Sequence, residues 1–264
     1  MTGANRERAL VVKFGGSEAT DENGVCEENL HAWFEAVQVH FPTHFVHAVF
    51  AIGGGQHVRK EQASQGDISD ERKDQIGIEV LRGHAEQVQR VLARQGYSVE
   101  SEIPQSPADA QTILSEQRQF AVALGGLQVG QSTDASAVTA AEIYQDNGYD
   151  ASILILSNIW NIFTADPRKD DSARPISASS LATLVAEGVL LNDPCQFRPG
   201  MNVPLDPVAV HRLEQRERRG SSIPLWLGHM SDVESIRQFL QQQTPAGGTT
   251  LHGENTQTVY KSRE

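Results

Sequence analysis

The 264 residues carry 34 acidic and 22 basic side chains, a net charge of −12, and two cysteines. That charge repels the phosphate backbone of nucleic acids and argues against DNA or RNA as a partner, and no apolar run approaches the about 18 residues of a membrane span. Cys26 and Cys195 lie far apart and flank no CxxC pattern, which predicts a reducing, cytoplasmic setting without a disulfide or a cysteine-built metal site.

Met1 to Glu7 is polar and lacks the apolar core of a signal peptide. Ala9 to Val12 reads as a buried first strand running towards Gly15-Gly16. Leu30, Trp33, Phe34 and Val37 then recur at helical spacing, and Phe45 to Ile52 is a second strand that ends at Gly53-Gly54-Gly55. Lys73 to Arg94 places Ile76, Val80, Val88 and Leu92 on one helical face, and Phe120 to Leu124 and Ser152 to Leu156 are further strands. Ser132, Thr133 and Asp134 are good first residues for the alanine-rich helix that follows them. Arg212 to Arg219 also contains Glu214 and Glu217, which predicts a solvated helix face. Ile223 to Leu227 is a strand, Ser231 with Glu234 forms a capping box, and Thr249 to Leu251 can be the last strand. Strands alternating with helices predict parallel pairing and right-handed crossovers. No linker or internal repeat interrupts the chain, so 1–264 reads as one α/β domain with a polar, frayed tail at 253–264.

Four short segments point to chemistry: Lys13-Phe14-Gly15-Gly16-Ser17, Gly53-Gly54-Gly55, Gly130-Gln131-Ser132-Thr133-Asp134 and Thr164-Ala165-Asp166-Pro167. The glycine clusters lie between strand-like and helix-like stretches, so backbone N–H groups and helix N-termini face the gap, an arrangement that holds phosphate. Lys13, at the mouth of the first strand, reaches the same gap. His40, His44 and His47 are close in sequence, but Pro42 breaks a continuous helix and strand alternation sends His44 and His47 to opposite faces, so no metal site is expected there.

The order and spacing of these segments, from about Val11 to Leu251, resemble the amino acid kinase family and, within it, the archaeal-type uridylate kinases. The resemblance implies a three-layer α/β/α sandwich around a mainly parallel sheet, with an acceptor half at about 1–126 and a nucleotide half at about 127–252. It implies transfer of a phosphoryl group from ATP, with Mg²⁺, to a nucleoside monophosphate such as UMP, in a homo-oligomer, a dimer or a hexamer. Lys13 and Asp134 stand at the catalytic positions, Asp134 orienting Lys13 and the metal-bound phosphates. Gly15, Gly16, Ser17, Asn158, Phe163, Asp166 and Pro167 stand where ATP is held. Gly54, Gly55, Arg59, Asp74, Gly126 and Thr133 stand around the acceptor, with Arg59 at its phosphate and Asp74 at its ribose. Asp74 is equally explained as an acidic residue favoured by a helix N-terminus, and Thr133 and Asp134 as N-cap neighbours.

The chain departs from the family pattern at Leu127, where a threonine is usual, and in Ser157-Asn158-Ile159-Trp160-Asn161-Ile162-Phe163. There an Asp-Gly pair has become Trp160-Asn161 and a tyrosine has become Phe163. Trp160 either stacks on a base or fills volume, and Asn161 tolerates the left-handed dihedrals of a turn. A kinase acting on another small phosphonate or carboxylate, and a nucleotide- or oxyanion-binding protein without catalysis, are the competing readings.

Overall fold

A computed structural model describes residues 6–37, 41–198, 201, 203–241 and 243–252. The expected frayed tail at 253–264 and His40 lie outside the described residues. In chain order the elements are β1 (Arg8–Phe14), α1 (Gly16–Ala19), β2 (Thr20–Asp21), β3 (Gly24–Val25), α2 (Glu27–Val37) and α3 (Phe41–His44). Next come β4 (His47–Ile52), α4 (Gly55–Ser64), α5 (Asp70–Arg94), α6 (Pro107–Ser115), β5 (Ala121–Leu124), α7 (Thr133–Asp146) and β6 (Asp150–Ser157). They are followed by β7 (Ile162–Phe163), β8 (Pro175–Ile176), β9 (Ala178–Ser180) and α8 (Leu181–Ala186). A 3₁₀ turn (Pro194–Gln196), α9 (Pro207–Arg218), β10 (Leu225–His229), α10 (Val233–Leu240) and β11 (Thr249–His252) complete the chain.

Seven strands form the main sheet in the order β5-β4-β1-β6-β10-β11-β9. All neighbouring pairs are parallel except β10 with β11. Alternation along β1 shows why helices cover both faces. Ala9 and Val11 join the core under α6, α7, α8 and α9, while Leu10, Val12 and Phe14 join the one under α2, α5 and α10. A strand buried on both faces reads as continuous apolar sequence. The result is the expected three-layer α/β/α arrangement. Its chain order reverses at β1, which has β4 on one side and β6 on the other. In such sheets the crevice beyond the carboxyl ends of the strands at the reversal is where ligands bind, and Lys13 and Gly15 lie there.

Four details differ from the sequence reading. The cap of α10 is Asp232, whose carboxylate accepts from Ser235 N at 3.2 Å, while Ser231 pairs with His229 at 2.8 Å. Asp232 wins because it sits one residue closer to the first helical turn and offers a charged acceptor. The arginines of α9 are not simply solvated: Arg212 pairs with Glu142, and Arg216 bonds Gln145 and Asp146, tying α9 to α7. The strand expected from Ile223 begins two residues later, at Leu225. Phe41 to His44 forms one helical turn that precedes β4.

Candidate functional site

The two upstream glycine loops interlock. Gly53 N donates to Phe14 O at 2.8 Å, and a Cβ on Gly16 would fall within the van der Waals radius of Gly55 N. Gly55 has φ +55°, and a side chain there would overlap the Gly16 carbonyl and Thr20 Oγ1. Only glycine satisfies both the dihedral and the space. Gly15 differs from the sequence expectation: its N–H donates to Leu156 O at 2.5 Å, bridging β1 to β6, and is not available to a phosphate. The N–H groups of Gly16 and Ser17 at the start of α1, and of Gly55, Gln56 and His57 at the start of α4, have no acceptor within their own helices. The N-termini of α1 and α4 are thus packed side by side at the carboxyl ends of β1 and β4.

Lys13 and Asp134 meet across this junction at 2.7 Å, with side chains 14% and 12% exposed. Apart from Lys13, that buried oxygen of Asp134 has no hydrogen-bond partner among the described residues. Ser132 caps α7 by accepting from Asp134 N and Ala135 N at 3.0 and 3.3 Å. Its hydroxyl donates to Asp206, which in turn accepts from Val208 N and Ala209 N and caps α9. One buried carboxylate therefore fixes two helix N-termini and the rotamer that places Asp134. Burial, followed by the charge of Asp134, pushes the Asp206 carboxyl above its ordinary range. Asp206 escaped the sequence reading, although Asp before Pro at a helix start is the signal that could have found it. Asp206→Ala should cost roughly 2–3 kcal/mol, since α9 loses its N-cap and the Ser132 hydroxyl that caps α7 loses its acceptor. A shift of the denaturant midpoint equivalent to less than about 0.5 kcal/mol would contradict the shared-cap role.

On the acceptor side Asp74 lies on α5 and accepts from Gly130 N at 2.8 Å, pinning the loop that leads into α7. Burial raises its pKa, and the Gly130 bond opposes that. Gly126 is in the same loop with no room for a side chain, because a Cβ would meet Ile78 at 3.0 Å. Thr133, the first residue of α7, is buried, whereas Arg59 on α4 is exposed and without a partner among the described residues. The structure thus brings Asp74, Gly126, Gly130 and the N-terminus of α7 together, and leaves Arg59 on the rim. A pair missed by the sequence reading stands beside the glycine triplet: His57 Nδ1 is 2.9 Å from Nε2 of the buried His84. Desolvation first, then the neighbouring His57, lowers the His84 pKa to about 4. A histidine with a lowered folded pKa contributes stability that is fully present above its unfolded pKa near 6.5 and is lost as pH falls towards 4. Relative to a His84→Gln variant, the wild type should lose up to about 3 kcal/mol between pH 7 and pH 4. Parallel stability curves for the two proteins would contradict this.

On the donor side a cleft of about 580 Å³ is lined by Asn158, Asn161, Phe163, Asp166, Pro167 and Val189, among others. Four of the sequence-chosen ATP residues therefore share one cavity. Asn161 Nδ2 donates to Gly248 O at 2.6 Å, and Ile162 N donates to Thr249 Oγ1 at 2.8 Å, so the altered segment is anchored to β11. Trp160 neither fills the core nor lines the cleft. It is 52% exposed and stacks on His229, with centroids 4.6 Å apart and planes at 10°. Asp166 is engaged by Arg168 through two side-chain bonds of 2.9 and 3.0 Å, which hold its carboxyl down at about 2.

Residues 8–217 match the amino acid kinase family. The chain belongs to that family. Among curated proteins it is similar to a uridylate kinase of Methanocorpusculum labreanum, 29% identical over 241 residues, covering 90% of this chain and 93% of that protein. A uridylate kinase of Methanothrix thermoacetophila is 27% identical over 212 residues, covering 78% and 85% of the two chains. Among solved structures it resembles a UMP kinase from Bacillus anthracis, with a TM-score of 0.71 at 16% identity and coverage of 95% and 98%. A uridylate kinase from Archaeoglobus fulgidus gives 0.68 at 22%, with coverage of 92% and 99%.

In this amino acid kinase no cluster of three His, Cys, Asp or Glu side chains suited to a metal occurs among the described residues. The residues present fit Mg²⁺ arriving with a nucleotide, since that ion is held largely by phosphate oxygens and one or two carboxylates. Asp134, whose Oδ1 is paired with Lys13, is the carboxylate that would face it. No helix among the described residues is long and apolar enough to cross a membrane.

Proposed function

We propose that this amino acid kinase transfers the γ-phosphoryl group of ATP to a nucleoside monophosphate, with UMP as the first acceptor to test. The observation that carries this reading is the Lys13–Asp134 ion pair at 2.7 Å, where the N-termini of α1, α4 and α7 meet. Phosphoryl transfer asks mainly for positioning and for neutralisation of charge on the transferring group. The Lys13 ammonium supplies a positive charge, Asp134 holds it in place, and the free N–H groups at the starts of α1 and α4 hold anionic oxygens. Mg²⁺ bound with the nucleotide would supply the remaining neutralisation of its phosphates.

In this reading the nucleoside of ATP occupies the cleft bounded by Asn158, Phe163 and Pro167, and its phosphates reach back to Gly16 and Ser17. The acceptor lies between α4, α5 and the 125–130 loop. Asp74 has one carboxylate oxygen occupied by Gly130 N and the other left for a ribose hydroxyl, and Arg59 swings in from the rim. The uridylate kinase names of the relatives, over 90% of this chain in the first case, support the choice of UMP.

The deciding experiment is a phosphate-transfer screen with MgATP against UMP, CMP, other nucleoside monophosphates and small phosphonates and carboxylates. UMP or a close relative should be phosphorylated. Turnover confined to a non-nucleotide acid would move the acceptor assignment, and absence of MgATP binding at millimolar concentration would remove the kinase reading. The anchored Asn161 favours a retained donor cleft with altered contacts over a lost one. Trp160→Asp with Asn161→Gly is accordingly expected to lower MgATP affinity by roughly tenfold, because the Gly248 bond and the His229 stack are both removed. A double variant that binds MgATP more tightly would show the departure to be a defect.

A further inference from the structure

Asn161 stands in place of the glycine of the family's Asp-Gly pair, and its side chain brings two polar atoms to the wall of the donor cleft. One of them is committed. It lies 2.6 Å from Gly248 O and 3.4 Å from Ile176 O. Two carbonyls can share only a donor, so this atom is the amide nitrogen and the orientation of the group is fixed. Thr249 supports the same corner: its hydroxyl accepts from Ile162 N at 2.8 Å and donates to Ile176 O at 2.5 Å. The other polar atom of Asn161, Oδ1, has no partner among the described residues and is not buried.

Asn161 Oδ1 is thus a fixed acceptor without a donor. The other carboxylate and amide oxygens of the cleft are engaged, those of Asp166 by Arg168 and Asn158 Oδ1 by the Ser157 hydroxyl at 3.5 Å. Ile159, Phe163, Val189 and Val203 give the cleft apolar walls, which suit the faces of a flat base and leave its edge to be read by polar atoms. We propose that Asn161 is a specificity-determining residue whose Oδ1 accepts a hydrogen bond from the 6-amino group of adenine and disfavours the 6-carbonyl of guanine. The inference rests on the kinase reading above, in which this cleft holds the nucleoside of the donor. The amide cannot turn round to suit guanine, because that would set Oδ1 against the Gly248 and Ile176 carbonyls. With guanine, two acceptors would face each other and both would lose water without gaining a partner.

Calorimetry with Mg²⁺ compares ATP with purine riboside triphosphate, which lacks the amino group, and with GTP. The wild type should bind ATP about fivefold more tightly than the purine riboside analogue, the loss of one neutral hydrogen bond. It should bind ATP at least about thirtyfold more tightly than GTP, which adds an unpartnered acceptor. Asn161→Ala should bring the first ratio to about one. Thr249→Val loosens the same corner but keeps Oδ1, so it should weaken all three nucleotides alike and leave both ratios standing. If Asn161→Ala folds poorly, the side-chain carbonyl ¹³C resonance of Asn161 in the wild type decides the matter: ATP should shift it, and the purine riboside analogue should leave it nearly unmoved. Equal binding of ATP and the analogue by the wild type, equal shifts of that resonance, or a ratio preserved in Asn161→Ala overturns the inference, while phosphoryl transfer from ATP leaves the kinase reading standing. A wild type that prefers ATP through Asn161 but phosphorylates no acceptor upholds the adenine contact and removes the kinase reading. Absence of binding by all three nucleotides at millimolar concentration overturns both.

Discussion

Lys13→Met should lower the rate of phosphoryl transfer at least ~10²-fold, the scale of removing one preorganised charge contact. The side effect on stability needs separating from this, because Asp134 is buried and would be left facing Asp206 with no cation beside it. Removing one partner of a buried pair costs about 3–5 kcal/mol. The Lys13→Met/Asp134→Asn double variant removes both charges and relieves the repulsion with Asp206, so it should regain most of that stability. It should regain no activity. Single-turnover transfer from MgATP, measured beside denaturant unfolding, separates the two effects. A double variant that recovers both stability and rate would show the pair to be a structural feature with no part in transfer, and the catalytic assignment would be withdrawn.

Gly55→Ala should destabilise the protein by roughly 2–5 kcal/mol. Left-handed backbone costs a non-glycine residue about 1–2 kcal/mol, and overpacking adds about 1–3 kcal/mol. The added methyl would meet the Gly16 carbonyl and Thr20 Oγ1. Neither is free to move, because the Thr20 hydroxyl already donates to that carbonyl at 2.5 Å. Relief would have to come from separating the two glycine loops, which pulls the N-terminus of α4 away from α1, so acceptor use should fall with stability. Gly66, with φ +75° and nothing within 4 Å of a Cβ, is the control. Gly66→Ala should lose only the left-handed backbone cost of about 1–2 kcal/mol. Thermal unfolding of the two variants compares them directly, and equal losses would rule out the interlock as the reason for glycine at 55.

The alternation of apolar runs with helical periodicity was enough, on the sequence alone, to establish a parallel α/β sheet, because burial on both faces leaves a strand such as Ala9–Val12 no polar positions. It also put Lys13 at a strand end and Asp134 at a helix start, both set locally, while the expectation that the two act together came from the resemblance to the amino acid kinase family. What lay beyond local reading were contacts between residues distant in the chain. Gly15 looked like a phosphate ligand until β6 was seen to take its N–H, a partner 141 positions away in sequence (156 − 15). Asp206 and Ser132 are each ordinary N-caps by sequence, and only the packing of α7 against α9 joins them into one support for Asp134. Trp160 gave no sign of its exposed stack on His229, because the register that sets β10 beside β6 creates it. His57 and His84, 27 residues apart, carry no motif, and the docking of α4 on α5 alone makes them a pair. Hydrophobic periodicity and turn chemistry are local and survive in one dimension. The partner of a buried polar atom is chosen by the fold, which must satisfy that atom with whatever side chain or main-chain group the packing brings within reach.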